Sequence, residues 1–300
     1  MNVSDERDLS SHEDAPADAK TQSRGFMSER VMVITGASDG IGAAAARLAK
    51  AEGHHVVIVG RSPNKTKAVA DELDSPFFIA DFSRFDDVRT LGRQLHDHFP
   101  RIDVLANNAG GVMGPRTLTV DGNERTLQVN HLSPFLLTNL LLDTLISSRA
   151  SVIETASVAH RWSGRLDLSD ITLERHYSSM RAYAKAKLMN FLLAKGLHQR
   201  FHDAGLSAAA FHPGVVRTSF STEFGGTLNL AYTSLVKHLF RSPVKGAETL
   251  VWLATTTPGS DWQSGAFYRD KKIYQAGKQA YDRDLATDLW ELSAKLTGIQ

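Results

Sequence analysis

The segment VMVITGASDGIGAAAARLAK (31–50) carries the turn that decides the fold. It begins as a β-branched run and ends in helix formers, which predicts a strand followed by a helix. Between them lies the glycine-containing turn TGASDGIG (35–42). Gly36 can make the tight turn, Gly40 lets the backbone approach a pyrophosphate, and Gly42 lets the helix pack closely on the strand. Glycines are common in such turns, and the flanking strand and helix make this one typical of dinucleotide binding. The predicted cofactor contacts here are Gly36, Ser38, Asp39, Gly40, Ile41 and Gly42.

Farther along the chain, apolar runs typical of buried strands alternate with helical stretches. This alternation predicts an α/β fold, a Rossmann-type doubly wound parallel sheet with helices on both faces. We expect it to form a single domain over residues 28–300, preceded by a disordered polar tail at 1–27. The segments 160–178 and 217–243 interrupt the alternation near carboxyl ends of strands, where such sheets bind substrates. The predicted strands are 31–35, 55–60, 76–81, 102–110, 151–157, 207–214 and 265–268, and the first predicted helices are 40–53, 64–73 and 84–98.

The composition excludes several classes of function. A formal net charge of +1 without a long basic run argues against a nucleic-acid surface. The absence of cysteine excludes disulfides, cysteine nucleophiles and thiolate metal sites. The 12 histidines form no metal-binding motif, so we predict no metal and interpret them as surface or loop residues. The apolar segment 133–146 is interrupted by polar residues and predicts a buried helix rather than a membrane span. With no signal peptide evident, a cytoplasmic location is favoured.

The end of the second predicted strand bears on the choice of cofactor. An acidic residue there would bind the ribose 2′-hydroxyl of NAD(H) and repel a 2′-phosphate. Arg61 and Ser62 occupy this place and can bind the phosphate, so NADP(H) is favoured over NAD(H). Lys65 can assist, or it is a solvated helix charge. Asp81 and Phe82 suit the rim of an adenine pocket, although Asp81 can equally cap the next helix.

The stretch RAYAKAK (181–187) places Tyr183 four residues before Lys187. That spacing puts both side chains on one helix face. An ammonium near a phenol favours the phenolate, so such a pair can exchange a proton with an alcohol or carbonyl. The spacing alone does not settle the role, because it recurs at Tyr268/Lys272 and Tyr274/Lys278.

Several separated motifs together resemble the short-chain dehydrogenase/reductase family over about residues 30–270. They are the glycine turn, NNAG (107–110), Asn130, Ser157, Tyr183 and Lys187. The resemblance selects the Tyr183 pair, because only this pair follows a serine-bearing strand at the start of a long helix. The family usually has serine directly before the lysine, where this chain has Ala186. HLSPFLLTNLLL (131–142), SVAH (157–160) and the C-terminal segment 286–299 are similar to the retinol-dehydrogenase-like branch.

The resemblance implies a role for each catalytic residue. Tyr183 would be the general acid in reduction and the base in oxidation. Lys187 would lower the pKa of Tyr183 and hold the nicotinamide ribose, and Ser157 would hydrogen-bond the carbonyl oxygen. Asn130 would hold a water that links Lys187 to solvent. Thr218 would bind the carboxamide or merely cap its loop. Further implied cofactor contacts come from Asn107, Ala109, Gly110, Pro213, Gly214 and Val216.

The implied function is that of an NADP(H)-dependent carbonyl reductase or alcohol dehydrogenase acting on a small, hydrophobic substrate. Candidate pocket walls are Arg161, Trp162 and Phe220, while His160 and His212 either touch the substrate or are structural. One alternative is a cofactor-binding regulator that has lost catalysis, as Ala186 and the unusual 160–178 segment would allow. Another is an epimerase or dehydratase, which the spacing of the glycine turn disfavours. We expect a homodimer or homotetramer formed through helices at about 117–147 and 180–203.

Overall fold

The computed structural model describes residues 29–216 and 241–299. The predicted tail at 1–27 lies outside the described residues, as do Thr218, Phe220 and almost all of the second interrupting segment. The described residues form one α/β domain, as predicted.

The centre of the domain is an eight-stranded sheet in the order β3-β2-β1-β4-β5-β6-β7-β8. The strands from β1 to β7 run parallel, and β8 pairs antiparallel with β7. The predicted strands all form, and β8 is an addition that the sequence pattern did not indicate. The strands are β1 Val31–Thr35, β2 His55–Gly60, β3 Phe77–Ile79, β4 Val104–Asn107, β5 Ser151–Thr155, β6 Ser207–His212, β7 Phe267–Arg269 and β8 Lys272–Ile273.

Helices cover both faces of this sheet. Along β1, Val33 faces one hydrophobic core, while Met32 and Ile34 face the other. Because successive side chains alternate across a strand, a strand that is apolar throughout must be buried on both sides. The helices are α1 Gly40–Ala51, α2 Pro63–Leu73, α3 Phe85–His98, α4 Arg125–Leu127, α5 Ser133–Leu140, α6 Leu142–Ser147, α7 Ser179–Phe201, α8 Pro243–Thr255 and α9 Arg283–Thr297.

The helix expected to begin near residue 117 is shorter and more irregular than predicted. Residues 118 and 124 form an isolated bridge, and Glu124 then caps α4 by accepting hydrogen bonds from the next turn. A π-helical turn, Gln128–Leu132, connects α4 to α5. The segment 133–146 is indeed a helix, but it is divided between α5 and α6. The π turn brings Asn130 inward and thereby shapes the site described below.

The strand order reverses between β1 and β4. Open α/β sheets bind ligands outside the carboxyl ends of the strands at such a point. Here Thr35 joins the two loops that leave these strands. Its hydroxyl donates to the Ala106 carbonyl at 3.1 Å and accepts from the backbone N–H groups of Asn108 and Ala109 at 3.0 and 3.1 Å.

Candidate active site

The glycine turn is held tightly against the loop that follows β4. A Cβ atom at Gly36, whose φ is +67°, would lie 2.8 Å from the Ala109 Cα atom. A Cβ at Gly42 would lie 2.4 Å from the Gly36 carbonyl oxygen. Residue 42 therefore has no room for a side chain against the turn. Asp39 caps α1 by accepting from the Gly40 N–H at 2.7 Å, and the open N-terminus of this helix faces the cleft.

A cleft of about 500 Å³ extends from this turn to the start of α7. Most of the predicted cofactor contacts line it. They are Gly36, Ser38, Asp39, Gly40, Ile41, Arg61, Ser62, Asp81, Phe82, Ala109, Gly110, Tyr183, Lys187 and Pro213. The predicted contacts at Gly42, Asn107, Gly214 and Val216 are not in its walls.

The structure corrects the prediction for Asn107, whose side chain lies in the core. Its amide donates to Thr138 Oγ1 at 2.9 Å and to Glu154 Oε1 at 2.7 Å. The neighbouring Asn108 lines the cleft instead, and its amide donates to the Thr35 carbonyl at 2.9 Å. Since successive side chains point to opposite faces of a strand, only one of two adjacent asparagines can face the cleft.

Gly214 and Val216 lie beside Arg241 rather than in the cleft. A Cβ at Gly214, whose φ is +88°, would lie 2.4 Å from Arg241 Cδ, and Val216 forms an isolated bridge with Arg241. Both residues adjoin the segment outside the described residues. Arg241 also pairs with Asp270 in the loop between β7 and β8.

Three predicted catalytic residues come together near the start of α7, and two of them, Tyr183 and Lys187, line the cleft there. Ser157 lies two residues after the end of β5 and hydrogen-bonds Tyr183. Tyr183 lies in the second turn of α7, and Lys187 lies one turn farther on with its Nζ 5.5 Å from the Tyr183 ring centre. Lys187 Nζ also donates to the Thr155 carbonyl at 2.8 Å. The same serine, phenol and ammonium are the groups needed for proton transfer at a carbonyl oxygen.

Asn130 supports this end of the cleft from below. Its amide nitrogen donates to the Thr126 and Gly111 carbonyls, each at 2.9 Å, and its Oδ1 accepts from the Gly111 N–H at 2.9 Å. A Cβ at Gly110 would lie 2.5 Å from Asn130 Oδ1 and 3.4 Å from Lys187 Nζ. The side chain thus fixes the backbone beside Lys187, while the water contact expected of Asn130 stays a prediction.

Burial governs the proton affinities at this site. It raises the pKa of Tyr183 to about 12, and the hydrogen bond with Ser157 acts in the opposite direction. Burial also lowers the pKa of Lys187 to about 8, against the attraction of Glu154. Tyr183 therefore needs a positive charge nearby to release its proton near neutral pH.

Glu154 is the functional candidate that sequence reasoning missed. It is fully buried on β5, and burial raises its pKa to about 8, while the Asn107 hydrogen bond and the Lys187 charge lower it. Its one signal in the sequence was an acidic residue inside the otherwise strand-like run SVIET (151–155).

The histidines correct a further prediction, because several are buried rather than at the surface. His131 bonds Ser293 Oγ at 2.9 Å, and His54 is 2% exposed. His160 contacts the Ser157 carbonyl through Nδ1 and accepts from the Gly277 N–H through Nε2 at 3.2 Å, which is a structural role. His212 is buried in β6 and does not line the cleft.

The remaining candidates lie away from the cleft. Trp162 is 72% exposed. The Arg161 guanidinium lies 4.9 Å from the Tyr274 ring centre and donates to the Gln275 carbonyl. Tyr268 is buried in β7, where its hydroxyl bonds the backbone of residue 263. The Tyr/Lys pairs that begin at residues 268 and 274 are not in the walls of the cleft, in keeping with the choice of the Tyr183 pair.

The described part of the chain has no cluster of three or more side chains able to hold a metal ion. Within the same residues, no helix is both long and apolar enough to cross a membrane.

Comparisons with known proteins agree with this fold. Residues 30–228 match the family model described as short chain dehydrogenase. A protein from Streptomyces sp. (strain C5), assigned as a daunorubicin C-13 ketoreductase, is 41% identical over 91% of this chain and 94% of its own length. Human retinol dehydrogenase 12 is 33% identical, with 90% of this chain and 87% of its own length covered.

Solved structures show the same fold. An uncharacterised protein from Mycobacterium paratuberculosis superimposes with a TM-score of 0.72 at 32% identity, covering 90% of this chain and 93% of the other. The RhlG/NADP complex from Pseudomonas aeruginosa has a TM-score of 0.63 at 24% identity over 79% and 93% of the two chains, which shows the fold alone.

The fold and the site define a nicotinamide-dinucleotide oxidoreductase. The chain belongs to the short-chain dehydrogenase/reductase family, and it is retinol-dehydrogenase-like.

Proposed function

We propose that this protein is an NADP(H)-dependent oxidoreductase that interconverts a carbonyl and an alcohol, with Tyr183 as the general acid and base. The observation that carries the proposal is that Tyr183 and Lys187 line one end of a cleft whose other end is the glycine turn, with Ser157 hydrogen-bonded to Tyr183. The similarity to a ketoreductase and to retinol dehydrogenases supports a hydrophobic ketone, aldehyde or alcohol as substrate.

The cleft walls fit a phosphorylated dinucleotide. Gly36, Gly40 and Gly110 line the cleft without side chains, so a ligand can approach the backbone there. Arg61, Ser62 and Lys65 line the cleft after β2. Arg61 and Ser62 would hold a 2′-phosphate, and Lys65 would add a second positive charge. Asp39 also lies here, but Lys65 Nζ pairs with it at 3.1 Å and offsets its repulsion of a phosphate.

In the direction of reduction, the bound cofactor would supply a hydride to the carbonyl carbon. The Ser157 hydroxyl would donate a hydrogen bond to the carbonyl oxygen and so stabilise its growing negative charge. Tyr183 would give that oxygen its phenolic proton, which completes the alcohol. The Lys187 ammonium would stabilise the phenolate that remains. Oxidation would use the same residues in reverse, with Tyr183 as the base.

The missing serine before Lys187 does not weaken the proposal. Ala186 is fully buried in the core packed around α7, so this position faces away from the cleft. A non-catalytic cofactor-binding regulator is therefore an outcome of the test rather than a second proposal.

The test is a fluorescence titration of the purified protein with NADPH and NADH. Arg61→Ala is the informative variant, and Lys67→Ala is its matched control, because Lys67 pairs with Asp71 on the exposed side of α2. We expect tighter binding of NADPH than of NADH, a preference that Arg61→Ala removes and Lys67→Ala keeps. Equal affinity for both cofactors in the wild type would refute NADP(H) specificity.

The chemistry is tested on a panel of hydrophobic ketones, aldehydes and alcohols. Tyr183→Phe should lower turnover by on the order of 10²-fold or more, while the cofactor still binds. Tight NADPH binding without turnover of any compound in the wild type would favour the regulator. Undiminished activity of Tyr183→Phe would refute the assigned mechanism.

A cytoplasmic location and a homo-oligomer are also part of the proposal. Fractionation of the producing cells and the solution mass of the purified chain test them.

A further inference from the structure

Glu154 lies on β5, in a buried polar cluster with Asn107 and Thr138. It is 0% exposed, and its Oε1 accepts from Asn107 Nδ2 at 2.7 Å, while Oε2 has no hydrogen-bond partner. An ionisable group is rarely left in this state unless it is paired or functional. Neither the cleft nor the proposed chemistry described above uses this carboxyl group.

The residue after Glu154 in β5 binds Lys187. The next residue along β5, Thr155, presents its carbonyl to Lys187 Nζ at 2.8 Å and to Asn190 Nδ2 at 3.1 Å. The Glu154 carboxyl and the Lys187 ammonium are both buried, and the charge of each shifts the pKa of the other. Lys187 in turn lies beside the Tyr183 ring.

We propose that Glu154 is a positioning residue that keeps Lys187 in its charged form on the alkaline side of neutrality and so sets the upper pH limit of the reaction. The inference rests on the proposed function, because Glu154 would act through Lys187 on the proton transfer at Tyr183.

The groups that act on Glu154 come from several elements, and Lys187 is the charged one among them. Asn107 faces it from β4, and α5 contributes Thr138, which shares the Asn107 amide. Lys187, on α7, is the one charged group of the described residues that shifts the pKa of Glu154. On the other side of Lys187, the titratable neighbour is Tyr183, and the lysine pKa responds to the charge of Glu154.

The titration of the pair explains the effect. The pKa values of Glu154 and Lys187 both lie at about 8, so the two groups release their protons in coupled steps. Well below that pH the lysine is charged whether or not Glu154 is ionised. Above it, an ionised Glu154 attracts the lysine proton and delays its release. With a neutral residue at 154, Lys187 would lose its charge at a lower pH.

The first experiment measures the charge of Lys187 without any turnover. The protein is labelled with acetic anhydride at a series of pH values, and labelling of Lys187 is quantified by mass spectrometry, because only the neutral amine reacts. Glu154→Gln keeps the size of the side chain and an oxygen for Asn107. We expect it to lower the midpoint of Lys187 labelling by ~0.5 pH unit or more. Glu248→Gln removes an exposed carboxylate that pairs with Lys245 and should leave the midpoint unchanged.

The second experiment measures activity against pH in both directions. We expect Glu154→Gln to oxidise alcohols about threefold or more slowly than the wild type above pH ~8, since Tyr183 would lose the charge that stabilises its phenolate. Reduction at pH ~6.5 should be unchanged, because Lys187 is charged there in both proteins. A merely structural role would lower both rates together.

The outcomes separate the inference from the function on which it rests. An inactive wild type that binds cofactor would refute the proposed reaction, and the labelling midpoints would still decide the coupling. Equal midpoints in wild type and Glu154→Gln would refute the inference even if the enzyme is active. If Glu154→Gln does not fold, Glu154→Leu repeats the labelling, and the carboxyl ¹³C shift of Glu154 in the wild type serves as the last measurement. A Glu154 that stays protonated wherever Lys187 is charged would refute the inference.

Discussion

Replacement of Thr35 by valine tests whether the two loops at the site depend on one buried hydroxyl. Valine has nearly the same shape, but it cannot bond the Ala106 carbonyl or accept from Asn108 and Ala109. The Asn108 N–H keeps a second acceptor, the Ala106 carbonyl at 2.9 Å, so the Ala109 N–H suffers the larger loss. At ~1 kcal/mol for each net hydrogen bond, and more for a donor left unpaired, the free energy of unfolding should fall by about 2–3 kcal/mol.

Equilibrium urea unfolding measures this loss, and Thr35→Ser is the matched control. Serine keeps the hydroxyl and loses one buried methyl group, which costs about 1 kcal/mol. Thr35→Val should also weaken NADPH binding, because Asn108 and Ala109 line the cleft, whereas Thr35→Ser should bind almost normally. If valine and serine reduce the stability equally, the hydroxyl does not hold the two loops together and the reasoning is wrong.

Three further predictions concern packing, pH and the asparagine pair. Gly42→Ala should weaken NADPH binding on the order of tenfold or more in a fluorescence titration. The new Cβ would lie 2.4 Å from the Gly36 carbonyl oxygen and would push the turn out of place. Unchanged affinity would contradict this prediction. Burial lowers the pKa of His131 to about 3 in the folded protein. Between about pH 6.5 and 3 the unfolded chain therefore binds a proton at His131 that the folded protein does not. The free energy of unfolding should drop by ~1.4 kcal/mol per pH unit as the pH falls through this range. His131→Gln should flatten that part of the urea-derived stability profile, and a wild-type profile without this slope would rule the contribution out. Asn108→Ala should weaken NADPH binding more than Asn107→Ala does, when the two variants are compared at equal loss of stability. The reverse order would support the cofactor contact first expected of Asn107.

The sequence predicted the fold well because each prediction depended on local patterns. Strands apolar on both faces and the glycine turn need no knowledge of distant residues. The exceptions have local causes as well. Strand β8 is only two residues long, and its turn uses Asp270 and Lys271 at φ +53° and +61° where glycine or asparagine would have been the signal. The π turn at Gln128–Leu132 has the composition of an ordinary helix, so nothing in the pattern marked its extra residue.

The wall of the cleft was also predicted, but the layer beneath it was not. The residues of the cleft wall belong to short sequence motifs. The residues that lie next to each of them in space are mostly in the same motif. The buried layer is formed by side chains far apart in the chain. Asn107 bonds Thr138 and Glu154, which are 31 and 47 positions away, and Lys187 bonds a carbonyl 32 positions away. No spacing rule connects such residues, so the direction of Asn107 and the burial of Glu154 could be learned only from the structure.

This difference bears on how the site works. The residues in the wall can provide a serine, a phenol and an ammonium, yet the charge state of the ammonium depends on what lies behind it. Here the Glu154 carboxyl, one oxygen of which is unpaired, acts by charge on Lys187, and burial penalises the charged form of both groups. The attraction between two buried opposite charges offsets part of the cost of burying each, so each group is more easily charged beside the other than alone. The pH range of a reaction at Tyr183 would therefore be set by the layer that sequence motifs do not describe.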